Sequence, residues 1–468
     1  MHLRSRARGL GTSSFRTVGE LDQARLALLD QAAFLRLRAT GQGSTVQCTW
    51  VYDRDVDLDQ LRIFKDHLGA GLLGRRIERS PLPFGRHRWV LDHRCPDIAL
   101  ERRQPRSEVG AWVERRARVP VDPEHGPAFH LGVLPLVDGG AAVTLVASHC
   151  VVDGLGLIAA LTEAVKGQSR NHGYPRPNSR SRIRAVAEDL ADAVRGLPAA
   201  VRALVAALVI LLKASSGPPP GARRPGPLPP VGDDRMSLPS VTMQTDAAAW
   251  EARARSLNGS SNTLFVAFAA RLAHRTGRVL SDGDSVTVVL PVSDRTGNDD
   301  RANALTSITL TVNGAAVVDD LSCARADVKK LLTSLRDQPN EMLAGLPLVP
   351  FTPRWLVRRA EGIAMSTGLL PVGCSNLGSL DAAVGRVDGG DAAEVCIRLA
   401  EQGITRGRVE QAQGQLFCST GTINGSRFLN VVAYRVGAGN TAAETRELAC
   451  GALADLQLSA TSVYEGRI

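Results

Sequence analysis

Hydrophobic and polar positions along this chain switch between two periods, and the switches mark its elements. From Glu20 to Leu37 apolar residues recur at helical spacing, where positions three and four apart share a face. Val46 to Val51 is a β-rich run, and Asp57 to Leu72 returns to the helical period with Asp57 placed to cap it. Ala141 to Ala147 predicts a strand and Leu155 to Val165 a helix. Further on, the pattern predicts a helix over Thr263 to Thr276 and strands over Asp284 to Val292, Thr306 to Val312 and Phe428 to Ala433, with another around Cys418. Strands and helices mix in both halves, which implies an α/β (α+β) architecture with mixed sheets.

Two stretches break this rhythm. Ser181 to Lys213 is helix-prone, with Pro198 expected as a break, and its last part, Ala203 to Leu212, is apolar on every side. That run is too short to span a bilayer, so burial in the core is expected, with lipid contact as the alternative. Lys213 to Arg235, KASSGPPPGARRPGPLPPVGDDR, is dominated by proline and glycine and reads as a linker. It divides the 468 residues into 1–212, the linker 213–235, and 236–468, as expected for a chain too long for one core.

Composition narrows the classes. Hydrophobic residues at 44% and charged residues at 22% are those of a globular protein. Lys+Arg is 56 against 47 for Asp+Glu, a net charge of +9 that is almost all arginine. Such an excess suits phosphate groups, an acidic partner protein or an anionic membrane surface, although an arginine-favouring genome accounts for it equally. Aromatics are 4% and no basic block is interleaved with them, which argues against nucleic acid. Arg75, Arg76, Arg86 and Arg88 bracket Pro81 to Gly85 and read as a solvated face, with phosphate contact as the alternative. The eight cysteines form no CxxC pair, and the histidines lack ligand spacing, so neither a metal site nor a disulfide framework is expected. With no apolar signal region in MHLRSRARGLGTSSF, a cytoplasmic location is expected, with peripheral contact at the inner membrane face as the alternative.

The chemistry concentrates in AAVTLVASHCVVDGLGLIAALTEAV, Ala141 to Val165. A strand ends at Ser148, His149 and Asp153 follow, and Gly154 opens a helix. A neutral imidazole held at a strand end can take a proton from a hydroxyl and activate it towards a thioester carbonyl. Asp153 would orient that loop, and Gly154 would let the backbone turn beside it. From these residues alone a second account stays open, in which Asp153 is an ordinary helix cap and His149 a satisfied polar group. Cys150, next along, is expected to be a buried structural thiol.

Around His149 the sequence resembles the HxxxD acyltransferase superfamily of chloramphenicol acetyltransferase and condensation domains, and more closely the bacterial wax ester synthase/diacylglycerol acyltransferase family. The likeness is carried in order by LDQAAFLRL (Leu29 to Leu37), PLPFGRHRWVLD (Pro81 to Asp92), SNTLFVAFAARLAHR (Ser261 to Arg275), LPVSDR (Leu290 to Arg295) with Asn303, and CSNLGSL (Cys374 to Leu380). It implies two chloramphenicol-acetyltransferase-like domains with a tunnel between them, acyl donor and acceptor entering from opposite ends. It places the general base on His149 and the structural carboxylate on Asp153, with Ser148, Gly154, Ser293, Arg295, Asn303, Ser375 and Asn376 on the substrate side. Ser375 and Asn376 would face the tunnel from the second domain, where a donor could hold the developing oxyanion.

The implied reaction is transfer from acyl-CoA, a co-substrate rather than a bound cofactor, to a hydroxyl of a lipid or specialised metabolite. An acyl-carrier-protein donor or an amine acceptor is the second reading, and a non-catalytic lipid-binding relative the third. Several positions depart from the family pattern. Ser148 stands where its first histidine would be, Pro127-Ala128-Phe129 replaces Pro-Leu-Trp, Asp294 replaces a leucine and Ala302 a glycine. They lie where substrate recognition is expected and point to a specialised acceptor.

Overall fold

The protein is described here as a computed structural model covering residues 24–92, 94–168, 170, 172–213, 234–297, 299–337, 343–365 and 370–466, without the side chains of 210–213, 336 and 361–365. In the first half the chain forms α1 (Leu28–Thr40), β1 (Gly43–Tyr52), α2 (Leu58–Ala70), β2 (Arg75–Glu78), β3 (Arg88–Leu91), β4 (Ala99–Leu100), α3 (Val109–Ala117), β5 (Phe129–Pro135), β6 (Ala141–Ser148), α4 (Gly154–Val165) and α5 (Arg182–Lys213). The second half adds β7 (Ser240–Asp246), α6 (Ala247–Ser256), α7 (Ser261–Arg275), β8 (Ser285–Ser293), β9 (Leu305–Asn313), α8 (Ser322–Asp337), α9 (Arg354–Met365) and β10 (Val372–Ser379). It continues through β11 (Glu394–Gln402), α10 (Arg406–Gln411), β12 (Gln415–Ile423), β13 (Ser426–Tyr434), α11 (Ala442–Asp455) and β14 (Ser462–Gly466).

The first sheet runs β11-β1-β6-β5-β4, antiparallel except for β4 beside β5. Every residue of β6 is buried, because both faces of the sheet are covered. Val143, Leu145 and Ala147 pack with Leu61 and Phe64 of α2 and Leu157 and Leu161 of α4. The alternate Ala142, with Val51 and Leu134, packs on Trp112 of α3. Successive side chains leave a strand on opposite sides, so a continuous apolar run marks a strand buried on both. Asp57 caps α2 as expected, its carboxylate accepting from the backbone N–H groups of Asp59 and Gln60.

The edge strand β11 comes from beyond the linker. Its register with β1 is antiparallel from Gly43↔Gln402 to Val51↔Glu394, and Leu380, Val384, Ile397 and Phe428 join the same core. The two halves therefore share one sheet and one apolar interior. The second sheet runs β14-β7-β13-β12-β10-β8-β9, with β10 parallel to both of its neighbours. Helix α7 lies across it, buried from Thr263 to Ala270 and again at Leu272 and Ala273, behind a capping box of Ser260 and Thr263. The mixed α/β architecture agrees with the sequence reading.

Four expectations are corrected. Helix α1 starts at Leu28, because the described residues just before it are not helical: Leu26 N–H donates to His87 O at 3.0 Å and Arg25 bridges Arg88, while 20–23 of the expected helix lie outside the described residues. Pro198 does not break α5; a proline removes one N–H donor, and on a solvent-facing helix water can satisfy the carbonyl left over. The described part of the run from Ala203 is not core: Leu204, Val205, Leu208 and Val209 are about half exposed while small Ala203 turns inward, and the side chains of 210–212 lie outside the described residues. Arg75 and Arg88 are buried rather than solvated. The basic start of the chain and linker residues 214–233 lie outside the described residues.

Candidate active site

Strand β6 ends at a tight turn. Ser148 O accepts from the N–H groups of Val151 (2.9 Å) and Val152 (3.2 Å), and Ser148 Oγ accepts from Cys150 N (3.3 Å). Ser148 thus shapes the turn. His149, half-buried, is fixed by its backbone from two sides. Its N–H donates to Ser44 O of β1 at 2.9 Å, and its O accepts from Asn303 Nδ2 of the second half at 3.2 Å.

Asp153 is buried and caps α4, accepting from Gly156 N at 2.7 Å. Its other carboxylate oxygen accepts from Ala304 N at 3.0 Å and pairs with Arg295 at 2.9 Å, while its own N–H donates to Ala302 O at 2.8 Å. Arg295 also donates to Asp299 O (3.1 Å) and Arg301 O (3.0 Å). Ser293 Oγ accepts from Arg295 N and donates to Ala304 O. The carboxylate of Asp153 is thus a clamp between the turn and segment 293–304.

Three more groups complete the frame, and the sequence reading missed all of them. Asp30, fully buried on α1, accepts from Ala302 N (3.0 Å), Asn303 N (2.7 Å) and Asn303 Nδ2 (3.1 Å). Its signal was an acid four residues before Phe34 on the buried side of α1, at helical spacing. Arg75 is fully buried over the Trp89 ring and donates to Val151 O at 2.7 Å as well as to Asp300 O and Tyr174. Leu377 is the third: a Cβ on Gly154 would lie 2.8 Å from its side chain. Gly154 therefore leaves room for the tip of Leu377 and is not demanded by an unusual backbone angle.

The remaining residues expected at the site are placed around this frame. Ser375 and Asn376 lie on half-buried β10, paired with Ser419 and Thr420 of β12. The Asn376 carboxamide is used locally, donating to Asn262 Oδ1 and accepting from Gly378 N, both at 2.9 Å. That fixes the loop which carries Leu377 to Gly154. A cavity of about 820 Å³ lies elsewhere, between α5 and the body, with Ala191, Gly196 and Phe351 in its walls.

Electrostatics set the states of the two groups at the turn. Burial pushes the His149 imidazole below the ordinary histidine range, against the pull of Asp153, of its own backbone and of Asn303. A histidine so shifted is neutral at physiological pH and able to accept a proton. Burial pushes the Cys150 thiol up to about 12, which removes it as a nucleophile. Among the described residues, no cluster of three or more His, Cys, Asp or Glu could hold a metal ion, and no helix is long and apolar enough to cross a membrane.

No protein-family model matches the chain, and no curated protein does. Solved structures do. The first condensation domain of the calcium-dependent antibiotic synthetase matches with a TM-score of 0.56 and 14% identity over 93% of this chain and 97% of that one. The wax ester synthase/diacylglycerol acyltransferase from Marinobacter aquaeolei VT8 matches with a TM-score of 0.55 and 14% identity over 92% and 98%. The nonribosomal peptide synthetase FmoA3 matches with a TM-score of 0.54 and 19% identity over 93% of this chain, which spans 44% of that longer one. The chain has the fold shared by condensation domains and wax ester synthase.

Proposed function

We propose that this protein is an acyltransferase that moves an acyl group from acyl-CoA to a hydroxyl, with His149 as general base. The observation that carries this reading is the His149 turn itself: a lone imidazole, held neutral by burial, whose backbone is hydrogen-bonded to both halves of the molecule. Rigid placement of that kind is what a positioned base needs.

In the proposed reaction, His149 takes the hydroxyl proton as the alcohol oxygen attacks the thioester carbonyl. The tetrahedral oxyanion then collapses, the C–S bond breaks, and the imidazolium returns the proton to the departing thiolate as free CoA. Ester forms, and no covalent enzyme intermediate is involved. Asp153 acts here as a positioning residue, since its described bonds are to backbone groups and to Arg295. Ser375 remains the group on β10 proposed to face the developing oxyanion. A tunnel admitting donor and acceptor from opposite sides is part of the proposal.

A second reading has one specific support, the equally good match to a condensation domain. In it the donor arrives on a carrier protein, or the acceptor is an amine. The deciding test is release of free CoA by purified protein from acyl-CoAs of several lengths with a panel of alcohols. Alcohol-dependent release that is lost in a folded His149→Ala variant supports the proposal. Release that persists in that variant overturns His149 as base; no release without a charged carrier protein favours the second reading.

A further inference from the structure

Helix α5 presents an apolar face to solvent. Leu190 (47% exposed), Val194 (62%), Leu197 (50%), Val201 (52%), Leu204 (49%) and Leu208 (50%) recur three and four residues apart, so they form one stripe along the helix. Val205 and Val209, also about half exposed, widen it, to about 140° of circumference at about 100° per residue. Scattered single apolar residues on a surface need no explanation, but a contiguous patch marks an interaction site.

Charge indicates the occupant. The helix's acids, Glu188, Asp189 and Asp192, are turned towards Arg25, Arg180 and Arg184. From Ala193 to Lys213 there is no acid at all, whereas Arg195 and Arg202, two turns apart, are exposed along one flank of the stripe. Arg202 donates only to Pro198 O of its own helix among the described residues. A wide apolar face bordered by basic residues is the pattern of a helix lying in a lipid–water interface. A helix pairing with a second copy of itself has a narrower two-position seam, flanked by charges of both signs.

We infer that the outer face of α5 docks on an anionic lipid surface, its aliphatic stripe entering the acyl boundary and Arg195 and Arg202 meeting lipid phosphates. The inference stands on α5 alone and is independent of the proposed reaction.

Flotation of the full-length protein with phosphatidylcholine vesicles, with and without an equal part of phosphatidylglycerol, tests it. The wild type is expected to float with the anionic vesicles and to be released by rising salt. Each basic side chain near such a surface is worth about fivefold in partitioning, so Arg195→Glu with Arg202→Glu is expected to weaken binding by roughly 30-fold or more. Val194→Ser with Val201→Ser should weaken it by about tenfold, from the lost apolar burial. All four side chains are exposed, so both variants should melt with the wild type, and the wild-type salt titration stands even if one does not. Wild-type protein that ignores anionic vesicles, or variants that bind as well as it does, overturns the inference. A dimer without lipid that Val194→Ser with Val201→Ser abolishes, together with absent vesicle binding, would assign the face to a second copy instead.

Discussion

Replacing Asp30 tests whether the His149 turn depends on a frame built from distant parts of the chain. Asp30→Ala removes the acceptor of two backbone N–H groups, those of Ala302 and Asn303, at 3.0 and 2.7 Å. Each buried donor left without a partner costs about 1–3 kcal/mol. Part of that is offset, because burial already disfavours the Asp30 carboxylate and pushes its pKa up. A net loss of about 2–4 kcal/mol in urea unfolding is expected. The catalytic consequence should be larger than the stability loss suggests. Asn303 loses its 3.1 Å side-chain bond and its backbone bond to Asp30, so the residue that holds His149 O is no longer anchored to α1 and the histidine gains freedom. A misplacement of about 1 Å can cost about 100-fold in rate. The loss should appear in kcat of acyl transfer, with KM little changed, since no substrate contact is touched. Asp30→Asn, which keeps one carbonyl acceptor, should fall between wild type and alanine. An Asp30→Ala protein with wild-type unfolding midpoint and kcat would mean that the His149 turn stands without Asp30.

Three further outcomes follow from the same frame. Gly154→Ala should cost under about 1 kcal/mol, because the tip of Leu377 can swing aside, whereas branched Gly154→Val should cost about 1–3 kcal/mol; equal urea midpoints would dismiss the contact. The acid limb of the transfer rate should lie below about pH 6.5, since burial lowers the His149 pKa and the base must be neutral to act; a limb above pH 7 would assign the rate to another group. His87, buried and pushed down to about 4, takes a proton in the unfolded chain from about pH 6.5 downwards but resists it when folded. Stability is therefore fully present above that range and lost as pH falls towards 4, by roughly 2 kcal/mol between pH 6.5 and 5. His87→Gln should flatten that slope in urea unfolding measured across the range.

The local geometry of the candidate site was legible in the sequence, and its long-range contacts were not. A buried strand, a turn and an N-cap Asp leave traces within a few residues, so His149, Asp153 and α4 could be read from Ala141 to Val165. The Asp30 bonds to Ala302 and Asn303, and the pairing of β1 with β11, join residues hundreds of positions apart, and periodicity carries no record of that. Arg75 misled for a different reason. Its charge implies solvent, but it finds acceptors in Val151 O and Asp300 O and a ring face in Trp89, which together can sustain a buried guanidinium. The apolar run of α5 records avoidance of water and does not say what replaces it.

Because β11 completes the first sheet, the halves on either side of the linker are not independent. A fragment ending at Lys213 would leave β1 with an open edge from Gly43 to Val51, all paired in the whole chain. It would also lose Ala302, Asn303 and Ala304, which hold the His149 turn through Asp30 and Asp153. An unpaired edge beside a two-faced apolar strand is an aggregation surface. The fragment is therefore expected to aggregate and to show no transfer, and supplying the second half during refolding should restore both solubility and activity. A soluble first half that transfers acyl groups unaided would mean that the base is held by its own turn alone, and that the clamp across the seam is structural decoration rather than part of the site.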